Sequence, residues 1–167
     1  MSILRPVSCA AILAVLALVA ASQAQDAKDV RRIPIPHREH GYGNFKSQVI
    51  ATQEQLDAFL KAVEKQPGWN KRGDFVQALQ KAKLDFATEA LVLIRQTEGS
   101  GSNKVTFASL EMKRDKLICA IERKVAEIGT ADIADYCLAL AVPKKRVAQV
   151  EVIVNEKQSE TLKLEAK

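Results

Sequence analysis

Three features of the sequence predict an α+β fold, with two N-terminal helices packed on a mainly antiparallel sheet of about five to six strands. Two amphipathic stretches come first, opened by Thr52 and Asp74. From Ala90 onward the apolar pattern changes from helical to extended. The extended segments are joined mostly by short polar turns, as in an antiparallel sheet with its helices on one side.

The chain opens with a segment that belongs to export. Arg5 precedes an unbroken apolar run of 13 residues from Cys9 to Ala21, and Ser22-Gln23-Ala24 places small residues where a signal peptidase cuts. Residues 1–24 are therefore expected to be a cleaved signal peptide, and the protein to be exported, either periplasmic or secreted. The run is shorter than the ~20 residues of a spanning helix, and no later segment approaches that length, so no stable membrane anchor is expected in the mature chain. Cys9 precedes the apolar run rather than following it, which argues against a lipid anchor.

The mature chain, residues 25–167, has a length that suits one domain. Pro34, Pro36, Gly41 and Gly43 break any periodicity in residues 25–45, which read as a flexible N-terminal arm. The single domain is expected over 46–157, starting with a short strand at Lys46–Ala51. Thr52 is a good N-cap, with Gln55 three residues on as in a capping box. Leu56, Phe59, Leu60 and Val63 form the apolar stripe of the first helix, which Pro67-Gly68 ends. Asp74 is expected to cap a second helix that buries Phe75, Val76, Leu79 and Ala82.

Ala90-Leu91-Val92-Leu93-Ile94 is a continuous apolar run, as expected of a central strand covered on both faces. Glu98–Asn103 is a turn-rich connection. Lys104–Met112 is a strand whose alternation slips, predicting a bulge near Ala108-Ser109. After the turn Lys113–Lys116 come strands at Leu117–Val125, Tyr136–Val142 and, past the Pro143–Arg146 turn, Val147–Asn155. Residues 158–167 read as a polar C-terminal tail.

Without the signal segment the chain has 24 Lys and Arg against 20 Asp and Glu, a mild excess spread along its length. In an exported protein this argues against a nucleic-acid partner. Cys119 and Cys137 lie 18 positions apart, and an even pair outside the cytoplasm is expected to close a disulfide. Such a loop is worth ~3 kcal/mol on the chain-entropy account. His37, Glu39 and His40 are the only cluster resembling a metal site, but the histidines are three apart in a segment with no helical pattern, unlike a zinc-protease motif. No histidine occurs from residue 46 onward, so a Ser-His-Asp or Cys-His catalytic set has no base in the core.

Gly99-Ser100-Gly101-Ser102 leads into a strand and lacks the Gly-Lys-Ser/Thr ending of a phosphate loop. No cofactor is expected there; Gly99, Ser100, Gly101, Ser102 and Asn103 are instead candidates for a partner-contact loop. Trp69, the only tryptophan, covers the core edge or anchors a partner. Glu111 and Glu122 lie on neighbouring predicted strands, but strand carboxylates in an antiparallel sheet usually face water, and no catalytic residue is assigned.

The runs SQVIATQEQLDAFLKAV, LDFATEALVLIRQTEGSGSNKVTF and YCLALAVPKKRVAQVEV, over residues 46–155, resemble the C-terminal domain of PrcB-type protease-complex subunits. The shared features are the Asp85-Phe86 step into a hydrophobic strand, the Gly-rich turn at 99–103, and a late strand running into Pro143 and basic residues. The resemblance implies a non-enzymatic exported module that binds or stabilises a protein partner, such as a protease. The alternatives are an envelope enzyme acting on glycan or peptide through carboxylates, and loose metal binding by the His37–His40 segment.

Overall fold

The computed structural model describes residues 25–164; the expected signal peptide, 1–24, and the last three residues of the expected tail, 165–167, lie outside the described residues. The described chain is α+β, as expected, but its strands form two sheets. The strands are β1 (Gln25–Asp26), β2 (Arg31–Ile33), β3 (Gln48–Ile50), β4 (Glu89–Glu98), β5 (Lys104–Lys113), β6 (Lys116–Lys124), β7 (Ala134–Pro143), β8 (Gln149–Val154) and β9 (Lys157–Lys163). The helices are α1 (Gln53–Glu64) and α2 (Arg72–Lys81), with a short 3-10 helix at His40–Asn44. One sheet has the order β1-β5-β6-β8-β9 and the other β2-β7-β4-β3. The helices cover the outer face of the four-stranded sheet, giving three layers. No helix of the described residues is long and apolar enough to cross a membrane.

The layering follows from two-sided strands. Ala90, Val92 and Ile94 of β4, with Leu138, Leu140 and Val142 of β7, face the second sheet and meet Leu117, Ile121, Val150 and Val152. Leu91, Leu93, Cys137, Ala139 and Ala141 face the opposite way, under Leu56, Leu60 and Val63 of α1 and Phe75 and Leu79 of α2. The expectation that the 90–94 run is covered on both faces is met. Thr52 caps α1, its hydroxyl accepting the Gln55 N–H at 3.2 Å, while the Gln55 side chain accepts the Ala51 N–H at 2.7 Å. The N-cap of α2 is Lys71, not Asp74, which lies inside the first turn and still favours the positive end of the helix.

The expected bulge is found as a register shift between Phe107 and Ser109. The sheets are antiparallel except where β8 runs parallel to β6, because β7 leaves for the other sheet between them.

Three further expectations are corrected. Residues 25–45 are not an arm outside the core: β1 pairs with β5, β2 pairs with β7, and Ile33 and Tyr42 are buried. The free edge of β7 draws this segment in, with the Cys137 main-chain N–H donating to the His37 carbonyl at 3.2 Å and the Glu39 main-chain N–H to the Asp135 carbonyl at 3.1 Å. The polar tail is likewise a strand through Lys163, since β9 pairs back on β8.

The third correction concerns the cysteines, which are both free and buried. Cys119 points between the two sheets, whereas Cys137 points from β7 toward the helices, so a sheet separates the thiols. Burial pushes the Cys119 thiol up to about 12 and raises that of Cys137 as well.

Candidate functional site

The Gly99–Asn103 loop joins β4 to β5 and is held against the β6–β7 connection, residues 125–133. Its anchor is Glu98, whose side chain is fully buried at the end of β4. The carboxylate accepts from Arg123 Nε at 2.6 and 2.8 Å, from Asn103 Nδ2 at 2.8 Å and from Gln96 Nε2 at 3.2 Å. Burial pushes the Glu98 carboxyl up, but the hydrogen bonds from Arg123, Asn103 and Gln96, with the Arg123 charge, outweigh it and hold the group below its ordinary value.

Asn103 extends this anchor in both directions. Its side-chain carbonyl accepts the Ala126 N–H at 3.1 Å, and its main-chain carbonyl accepts the Tyr136 hydroxyl at 2.8 Å. Beyond it, Ser100 and Thr130 lock the loop to the connection. The Ser100 hydroxyl oxygen accepts the Thr130 N–H at 2.8 Å, and the Thr130 hydroxyl oxygen accepts the Ser102 N–H at 3.2 Å. Asp132 accepts the Gly101 N–H at 3.2 Å and pairs with Arg38 at 3.3 Å, while Arg38 also donates to the Gly101 carbonyl at 3.0 Å and lies over the Tyr136 ring. A hydrogen bond from Thr130, followed by Gly101 and the Arg38 charge, holds the Asp132 carboxyl below its ordinary value. Gly101 permits this close approach, because a methyl group there would push the Asp132 carboxylate aside.

Against this polar framework, the connection exposes apolar surface. Val125, Ile128 and Ile133 are the exposed large hydrophobic residues among the described ones, at 59%, 85% and 57%. All three fall in the same nine-residue connection. Single exposed hydrophobics need no explanation, but three in one connection pinned at both ends do. Sequence reading found the loop and missed these residues, because Val-Ala-Glu-Ile-Gly-Thr-Ala-Asp-Ile carries no period. An isoleucine inside a Gly- and Asp-containing stretch was the available signal.

The other candidates are dispersed. His37 Nε2 lies 3.0 Å from the Val105 carbonyl, and its ring meets Tyr136 and Phe107 edge-on at 5.1 and 5.7 Å. Glu39 is buried and accepts the Lys71 N–H at 3.3 Å at the start of α2, while His40 is exposed. Among the described residues, no group of three or more His, Cys, Asp or Glu side chains is placed to hold a metal ion. Trp69 as a partner anchor is corrected: it is buried against Tyr42 and Phe75, at ring distances of 5.4 and 5.1 Å, and Gly41 lacks a side chain where the indole lies. Glu111 stands opposite Ile118 and Glu122 opposite Thr106, so the register does not pair them across the ladder.

Compared with known protein families, with curated proteins and with solved structures, the chain matches none.

Proposed function

We propose that this is an exported, non-catalytic accessory module that binds or stabilises a protein partner through the end of the sandwich formed by the Gly99–Asn103 loop and the 125–133 connection. One observation carries the reading: Val125, Ile128 and Ile133 are exposed on a connection whose neighbouring polar groups are tied to the loop. A surface ordered before binding loses little conformational freedom when a partner covers it, so its apolar area counts toward affinity. The resemblance to PrcB-type subunits makes a protease of the envelope or extracellular space the partner class to look for. The export signal expected at residues 1–24 supports looking for the partner in that compartment.

The test compares the native protein with an Ile128→Lys variant. Both are passed over size-exclusion with the exported fraction, and co-eluting proteins are identified by mass spectrometry. Ile128 is 85% exposed, so the variant is expected to keep its fold. A recurrent companion held by the native protein and lost by the variant supports the assignment. Elution alone, or a companion retained equally by both, overturns it.

A further inference from the structure

We propose that the cavity between the start of α1, the α2–β4 connection and the β7–β8 turn binds an amphiphilic monoanion, a carboxylate carried on an apolar body. The cavity measures about 620 Å³, within the range of roughly 300–1,000 Å³ for small-molecule sites. Phe86, Val147 and Leu164 supply its apolar lining, and Lys144 and Lys145 its charge.

Lys144 is the reason to assign an anion. Its ammonium donates to the carbonyl oxygens of Ala51 at 2.7 Å and Phe86 at 2.5 Å. An ammonium has three donors, so these two acceptors leave one over. Among the described residues, no carboxylate pairs with it. Carbonyl dipoles satisfy hydrogen bonds but do not cancel charge, and a half-buried cation is stabilised by an anion brought beside it.

Lys145, exposed on the next residue, adds a second positive charge at the rim. The start of α1 plays a lesser part, since Thr52 and Gln55 already cap it. Two lysines act as point charges and offer no planar fork, so the head is held by its charge rather than by a bidentate fit, and a carboxylate is the simplest head that meets this. The apolar lining then requires an apolar body on the same molecule.

The experiment is calorimetric titration of decanoate, below its critical micelle concentration, into the purified protein, with decanol and acetate as comparisons. Saturable one-to-one binding of decanoate is expected, at least about tenfold tighter than either comparison, because the head and the tail each contribute. Lys144→Met removes the charge but also frees two carbonyls and destabilises the fold, so two exposed positions carry the test. Ala148→Phe fills the cavity mouth and is expected to weaken decanoate about tenfold or more, and Lys145→Glu to weaken it while leaving decanol unchanged. No saturable binding, equal binding of decanol, or an unchanged affinity in Ala148→Phe overturns the proposal.

Discussion

Glu98 shows how one residue organises the candidate partner surface. It is a carboxylate with no exposed side-chain area, and it is held charged by three hydrogen-bonding neighbours. Its native pKa lies below its ordinary value of 4.5, so its contribution is complete above that value and is lost as pH falls through the native one. Replacing it by Gln leaves Arg123 and Asn103 with a poorer acceptor, at a cost of about 1–3 kcal/mol near pH 7. Arg123 is 38% exposed, which screens the charge part and favours the lower end. Urea unfolding of the native protein and Glu98→Gln, repeated from pH 7 to pH 3, is expected to show a gap that closes on acidification. A gap independent of pH would mean that the carboxylate charge is not what holds the loop.

Among the elements, the β8–β9 hairpin departs furthest from what its residues announce. Asn155 and Glu156 both have positive φ, 46° and 67°, as a two-residue hairpin turn matching strand twist requires. The usual signal is Asn-Gly; here a glutamate occupies the second position. Asn155 compensates with its side chain, whose oxygen accepts the Arg123 N–H at 2.7 Å and whose amide donates to the Arg123 carbonyl at 3.0 Å, prolonging the β6 ladder. Glu156→Gly removes the left-handed strain and is expected to raise stability by up to about 1 kcal/mol, read as a higher urea midpoint. A lower midpoint would mean that the exposed glutamate contributes a contact worth more than the strain.

At the scale of the whole molecule, the four-stranded sheet is a partition. Its central strands β4 and β7 are buried on both faces, one face toward the helices and one toward the second sheet. The two thiols lie on either side, and burial raises both above the range in which thiolate forms near pH 8. A chain starting at Gln25 is therefore expected to present no reactive thiol to an aromatic disulfide reagent while folded and two after unfolding in urea. Two reactive thiols in the folded state would overturn the layering, and none after unfolding without reductant would restore the disulfide.

The sequence by itself determined the local elements. The Thr52-Gln55 cap, the α1 stripe, the apolar run at 90–94 and the slip at Ala108-Ser109 are all read from neighbours within a few residues, and each is found in place. The loop at 99–103 was legible for the same reason, since Gly, Ser and Asn state a turn directly. Tertiary structure alone decided that the strands form two sheets, because alternation says which face is apolar but not which strand lies opposite. It alone placed strands at 25–26, 31–33 and 157–163, since edge segments are ordered by the open hydrogen-bonding groups of β5, β7 and β8 rather than by their own period. It alone separated Cys119 from Cys137 and closed a cavity around Lys144 from segments as distant as Ala51, Phe86 and Leu164. Pairing across layers depends on which apolar faces meet, and that is set only when the whole chain has collapsed.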